Sequence, residues 1–250
     1  MHCRWRESAG DRPDTMTKTD VLIMAAGSGS RFGEDTPKQF VELHGRPSVV
    51  WSVERFAALD NVGSIIVVTR PGGEGEVKRL IEDHRLKKVG AVVAGGETRQ
   101  QSVWLGLQAL DASSERVMIH DAARPCVTTG FIEEIIKTLA EVSAVVPVLP
   151  ATDTLIRTEN GEVHAIVDRV QIAQVQTPQG FHTRVVRRAH ERALMTGFES
   201  SDDGSLVHAL GEKVRTIAGE RTNIKITYCE DVQVAESFMK VLRQVFKDGG

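Results

Sequence analysis

The chain has 250 residues, 41% of them hydrophobic, with 31 basic and 34 acidic side chains and a net charge of −3. This balance is too apolar for a disordered chain and lacks the basic excess of a nucleic-acid binder, so no nucleic-acid partner is expected. No apolar run approaches the roughly 20 residues needed to cross a bilayer, so no membrane partner is expected either. Cys3, Cys126 and Cys229 are far apart and odd in number. That excludes a disulfide scaffold or zinc cluster and points to a reducing, cytoplasmic setting.

Residues 1–19 mix charges with Gly, Pro and Thr and lack any apolar period, which reads as a disordered N-terminal extension. The pattern changes at Asp20, where VLIMAAG begins as a short apolar run ending in glycine. Further runs of the same kind follow at Ser64–Arg70, Ala91–Gly96, Arg116–Asp121 and Ala144–Pro150. Each is apolar on both faces, the signature of a strand covered from two sides. Between them lie helical stretches: Ser48–Leu59, with Val49, Val50, Val53, Phe56 and Ala57 on one face, then EGEVKRLIEDHRL, TRQQSVWLGLQAL and GFIEEIIKTLAEV. The alternation predicts βαβ units and a mostly parallel α/β sheet flanked by helices.

After Pro150 the rhythm breaks. Asn160-Gly161 separates two alternating runs, a β-hairpin signal, and the segment over about 151–170 reads as a protruding arm. A lone two-stranded ribbon is marginal in water, so the arm is expected to pack on a second subunit. Helices over about Thr183–Met195 and Asp203–Leu210, strands at Val214–Ile217 and Ile224–Tyr228, and a last helix from about Glu230 complete one domain over 20–241, with a tail at 242–250.

Ligands of open parallel sheets bind beyond the carboxyl ends of the strands. The first strand is followed by AAGSGSRFGEDTPKQF, in which Ala25, Ala26, Gly27, Ser28 and Gly29 let the backbone approach a ligand, and Arg31 and Lys38 add two cations. Backbone amides with a paired Arg and Lys suit a triphosphate. The loop lacks the GK[ST] of a Walker A motif, and its glycines are spaced GxGxxxG rather than GxGxxG. The second strand ends Thr69-Arg70-Pro71 with no acidic residue for a ribose, which argues against a nicotinamide enzyme. After the third strand, GGETRQQSV offers Gly95 and Gly96 for close approach and Glu97 and Ser102 for a base or ribose; Thr98 reads equally as a helix cap. After the fourth, HDAARP places Asp121 where a carboxylate can hold Mg²⁺, with Arg124 beside it. Arg169 at the foot of the arm offers a planar fork for a phosphomonoester, and Lys225 sits inside the apolar NIKIT segment.

Taken in order, AAGSGSRFGEDTPKQF, GGETRQQSV, HDAARP, VVPVLPATDT, VDR, QTPQGF and NIKIT resemble the 2-C-methyl-D-erythritol 4-phosphate cytidylyltransferases of the non-mevalonate isoprenoid pathway. HDAARP with VDR and NIKIT favours this family over the related ribitol-5-phosphate cytidylyltransferases. A non-catalytic nucleotide-binding module would have no need of Lys225 or Arg169. The resemblance implies a Rossmann-like homodimer joined through its β-arms and transfer of the cytidylyl group of CTP to methylerythritol phosphate. It further implies that CTP binds to the first loop, the Gly95–Glu97 segment, Ser102 and Ala122, that Arg31 and Lys38 stabilise the transition state, and that Asp121 helps hold the divalent ion. Arg169 of the partner subunit and Lys225 would position the acceptor, with Thr154, Ser201 and Asp202 lining the same pocket. Two positions depart from the family pattern: Thr222 stands where some members have an acidic residue, and Glu97 where aspartate is frequent.

Overall fold

A computed structural model of the chain describes residues 17–27 and 38–248, with the side chains of Lys38 and of residues 243–248 outside that description. The expected N-terminal extension lies mostly outside the described residues. In chain order the elements are β1 (Thr19–Ala25), β2 (Glu42–Leu43), β3 (Arg46–Pro47), α1 (Ser48–Ala57), β4 (Val62–Thr69), α2 (Glu74–Asp83), β5 (Val89–Ala94), α3 (Arg99–Gln108), β6 (Arg116–Asp121) and α4 (Thr129–Leu139). There follow β7 (Ala144–Pro150), β8 (Leu155–Glu159), β9 (Glu162–Val167), β10 (Ala173–Val175), β11 (Gln179–His182), α5 (Thr183–Thr196), α6 (Asp203–Ala209), β12 (Arg215–Ala218) and α7 (Asp231–Asp248).

β5, β4, β1 and β6 run parallel and adjacent in that order. The first strand therefore has the second and third on one side and the fourth on the other, and the order reverses between β1 and β6. Ligands of open α/β sheets bind in a crevice at the carboxyl ends of the strands where the order reverses in this way. β11 lies antiparallel between β6 and β7, and β7 also pairs in parallel with β12 and antiparallel with β10. The sheet is mostly parallel, as the apolar runs imply. β10 and β11 are additions with no clear sequence signal, being three and four residues long around the Thr177-Pro178 bond.

Both faces of the sheet are covered. Val21, Ile23 and Ala25 of β1 pack with α1 and α4, while Leu22 and Met24 face the layer of α3, α5 and α6. Alternate side chains of one strand thus enter two cores, which is why the strand is apolar throughout. A third cluster joins Leu43, Trp51, Cys126 and Ile226 to Ala235 and Met239 of α7. Trp51 and the sheet-facing valines together bury α1 on two sides, so its apolar face is wider than a single stripe.

Boundaries differ from expectation at several points: β4 begins at Val62 and β5 at Val89, each two residues early. β1 begins at Thr19, whose amide bonds the Asn61 carbonyl. α7 runs to Asp248, since no Gly or Pro interrupts it before Gly249. Ile224–Tyr228 forms no strand; its conformation is described with the site below.

The arm is β8 and β9, paired among the described residues only with each other and joined at Asn160 and Gly161, both at positive φ (51° and 83°). That two-residue turn matches the right-handed twist of the ribbon, and Asn and Gly are the residues that tolerate it. Ile166 is 77% exposed, and Val170 in the returning chain 88%.

Gly106 marks how closely α3 approaches the sheet: a Cβ there would lie 2.8 Å from Val68 Cγ2 and 3.1 Å from Leu22 Cδ1. Gly106→Ala would gain about 1 kcal/mol of helix propensity but incur an overpacking cost of about 1–3 kcal/mol. The expected outcome is a lower urea midpoint; a raised midpoint would show that the α3–sheet contact yields freely.

Candidate active site

β1 and β6 are neighbours with Met24 opposite Asp121, so the chain leaving each strand enters the same crevice. There a cavity of about 320 Å³ is lined by Ala26, Gly27, Glu97, Arg99, Asp121 and Lys225, among others. Ala25 is the last residue of β1 and faces the core rather than the cavity. Gln39 Nε2 donates to the Gly27 carbonyl at 3.0 Å and closes the near wall. Ser28, Gly29 and Arg31 lie outside the described residues. Lys38 opens a short 3-10 turn, and its side chain is outside the description as well.

The turn after β5 is built tightly. A Cβ on Gly95 would meet Ser102 Oγ at 2.6 Å and Ala26 Cβ at 2.8 Å, so this glycine is demanded by the packing of the turn on α3 and on the end of β1. Ser102 Oγ accepts from the Gly96 amide (3.1 Å) and donates to the Thr98 carbonyl (2.9 Å); it lines the cavity while holding the turn together. Thr98 is the N-cap of α3: its side chain accepts from the Gln101 amide, and the Gln101 side chain reaches back to the Thr98 amide. Thr98 thus takes the capping role the sequence offers, and it also lines the cavity.

The turn after β6 carries the charges. Asp121 is 7% exposed, with Lys225 Nζ at 2.6 Å, Arg99 Nε at 3.5 Å and Arg124 Nε at 3.9 Å. Burial alone would raise the Asp121 pKa, but Arg99, Lys225 and Arg124 outweigh it and hold the carboxylate well below its usual range. Arg124 also donates from Nη1 to the Asn223 carbonyl at 2.8 Å, and burial pulls its own pKa down. It acts as a brace inside the protein. Ala122 is fully buried, and its carbonyl accepts from Ser48 Oγ and Ser52 Oγ of α1. Ala123, its neighbour, is the residue of this turn that lines the cavity. His120 is pushed down to about 4 by burial, and its two ring nitrogens face the Arg124 carbonyl (3.1 Å) and Thr177 Oγ1 (3.2 Å).

Lys225 reaches Asp121 from a segment that the β-branched NIKIT pattern assigns to a strand. The segment is instead irregular chain that pairs with no strand among the described residues. Ile226 N donates to the Ala123 carbonyl, Asn223 Nδ2 to the Thr177 carbonyl, and the amides of Thr227 and Tyr228 donate to Asp231 at the start of α7. One backbone bond to a turn carbonyl, with side-chain bonds from Asn223 and to Asp231, does the work that a ladder would do.

The remaining expected residues are elsewhere in this subunit. Thr154 and Arg169 stand exposed at the feet of the arm, where Arg169 Nη1 donates to the Thr152 carbonyl. Ser201 is exposed, and Asp202 caps α6 by accepting from Ser205 N while its other oxygen accepts from Gln179 Nε2. None of the four lines the cavity. Two charged residues of the site carry no plain sequence signal: Arg99, the first residue of α3, and Asp203, in the first turn of α6, which Arg99 joins at 2.8 Å. Both read as ordinary solvated residues at helix starts.

Residues 19–241 match the family model of 2-C-methyl-D-erythritol 4-phosphate cytidylyltransferase. The enzyme of that name from Geobacillus thermodenitrificans is 37% identical over 220 residues, covering 88% of this chain and 96% of that protein. The crystal structure of 2-C-methyl-D-erythritol 4-phosphate cytidylyltransferase from Thermus thermophilus superposes with a TM-score of 0.75 at 37% identity, covering 89% of this chain and 99% of that one. The 4-diphosphocytidyl-2C-methyl-D-erythritol synthase of Anaerococcus prevotii superposes with a TM-score of 0.78 at 29% identity, covering 90% and 97%. With the crevice at the β1–β6 reversal and this similarity over nearly the whole described sheet, the chain belongs to the 2-C-methyl-D-erythritol 4-phosphate cytidylyltransferase family.

Proposed function

We propose that the chain transfers the cytidylyl group of CTP to 2-C-methyl-D-erythritol 4-phosphate, giving 4-diphosphocytidyl-2-C-methyl-D-erythritol and pyrophosphate, a step of isoprenoid precursor synthesis. The observation that carries this reading is the cluster of Lys225, Arg99 and Arg124 around Asp121 at the mouth of the β1–β6 crevice. A phosphate oxygen of the acceptor attacks the α-phosphorus of CTP. The bond from that phosphorus to the bridging oxygen breaks, and pyrophosphate leaves with the electron pair. The second pKa of a phosphomonoester is about 6, so the nucleophile is already an anion near neutrality and no general base is required.

The obstacle is repulsion between two anions and charge growth on the leaving group, for which fixed cations are the remedy. Lys225, 37% exposed at its side chain, faces the cavity and can turn from Asp121 to an incoming phosphate. Arg31 and Lys38 are assigned to the triphosphate on the sequence pattern. His120 stays neutral and engaged at both nitrogens, and burial pushes the Cys126 thiol up to about 12, so neither suits acid–base or nucleophilic work at neutral pH.

Among the described residues no three His, Cys, Asp or Glu side chains gather into a metal cage. One ionised carboxylate at a phosphate pocket nonetheless fits Mg²⁺, which takes one or two carboxylates and completes its shell with substrate phosphates and water. Asp121 would hold the ion together with phosphate oxygens of CTP, and the ion would neutralise charge on them; Thr222 offers no second carboxylate.

The arm favours a homodimer. Ile166, Val163 and Ile156 are exposed on a ribbon that pairs with no other strand among the described residues, and a second copy of the arm is the apolar surface that suits them. In that assembly Arg169 of the partner subunit would meet the acceptor phosphate, with Thr154 beside it.

Lys225→Ala is expected to lower turnover by about 10²–10³, the scale for losing one preorganised electrostatic contact. Thermal melting should show a folded protein; wild-type pyrophosphate release from CTP and methylerythritol phosphate would refute the assignment. Inactive Arg169→Ala and Lys38→Ala subunits, once mixed and exchanged, should recover part of the activity, because one site of the mixed dimer is then intact. No recovery after exchange verified by native mass spectrometry would place Arg169 in its own subunit's chemistry.

A further inference from the structure

Asp203 lies outside the cavity and is 1% exposed. A carboxylate so deeply buried requires partners on both oxygens. It has them: Arg99 Nη1 donates to Oδ2 at 2.8 Å, and His190 Nε2 lies 3.0 Å from Oδ1. Burial would raise its pKa, but the Arg99 charge and the His190 bond outweigh it and keep the carboxylate below its usual range. His190 is itself buried on α5, with the Trp104 ring stacked on it at 14° and 6.3 Å between centroids. Neither His190 nor Asp203 is free to move without disturbing the packing of α3, α5 and α6.

Arg99 connects this buried pair to the cavity, which its side chain lines. The turn just before it cannot supply positive potential in its place, because its amides are committed within the protein: Gly95 to the Thr69 carbonyl, Gly96 to Ser102 Oγ, and Glu97 to Gln101 Oε1. A glycine-rich turn with its donors spent internally leaves the Arg99 guanidinium to meet an anion at this wall. Burial alone would lower the Arg99 pKa; Asp203 and Asp121 outweigh it, and the charge is permanent.

We propose that Arg99 binds phosphate oxygens of the nucleotide and that Asp203, braced by His190, is the positioning residue that holds the guanidinium at the cavity wall. This rests on the reading of CTP as the nucleotide. A guanidinium fork can keep one nitrogen on Asp203 and turn others to a phosphate; a lysine, with a single nitrogen, must choose. Holding the fork in place beforehand removes the ordering cost from binding.

The test is a double-mutant cycle on the full chain. CTP affinity is measured by titration calorimetry, and KM is measured for both substrates. Arg99→Lys and Asp203→Asn should each weaken CTP binding about tenfold, the scale of one charge-assisted hydrogen bond. The KM for methylerythritol phosphate should move less than the KM for CTP. The double variant should bind CTP no worse than the weaker single variant, since Asp203 acts only through Arg99. Multiplied losses, equal rises in both KM values or unchanged CTP affinity would overturn the proposal. Should Asp203→Asn not fold, His190→Gln serves: it should weaken CTP binding in the Arg99 protein and have no effect in the Arg99→Lys background, and equal effects in both would overturn it. Wild-type protein that binds CTP but forms no product would sink the proposed reaction and leave this cycle readable.

Discussion

A buried carboxylate surrounded by three cations governs the site. Asp121 is placed by β6, Arg99 by α3, Arg124 by the turn after β6, and Lys225 by the irregular chain before α7. Taking any one of these charges out of water alone would be costly, and together they compensate one another. The cluster therefore ties distant parts of the chain to one point at the end of the sheet. Of the three cations, Arg99 and Lys225 face the cavity, where an anionic substrate can use them. Asp203 shares Arg99 from behind.

This arrangement suits a reaction whose nucleophile needs no activation. Among the described residues the site lacks a poised base: His120 is locked neutral, and the Cys126 thiol is held protonated. What it supplies is fixed charge at short range, shielded from water on one side by the layer of α3, α5 and α6. Electrostatic stabilisation of this kind is strongest where the groups are already in place before the substrate arrives. The bracing of Lys225, by Ile226 on the Ala123 carbonyl and by Asn223 on the Thr177 carbonyl, meets that need.

Much of the fold was legible because burial on both faces leaves an unmistakable mark on a strand. β6 and β7 begin and end where the apolar runs begin and end. β11 was not legible: four residues beside Pro178, inserted between β6 and β7, carry no period of their own. Ile224–Tyr228 was misread because the strand preference of β-branched residues depends on a partner strand to pack and pair with, and the segment has none among the described residues. At the site, Asp121 and Lys225 stood out by their settings, a carboxylate at a strand end and a lysine in an apolar run. Arg99 and Asp203 did not, since a charged residue in the first turn of a helix is unremarkable until a partner from 104 residues away is known. The arm carries exposed Ile156, Val163 and Ile166, which no contact within the described residues explains, and no residue period in the sequence says what would cover them.

The last helix has a bearing on the chemistry that its place in the chain would not suggest. Asp231 anchors the amides of Thr227 and Tyr228, and Ala235 and Met239 pack with Ile226, the residue next to Lys225. α7 is thus a buttress behind the lysine. Trimming the chain from its carboxyl end past Met239 would uncover Ile226 and so loosen the neighbouring ammonium before it reached the central sheet.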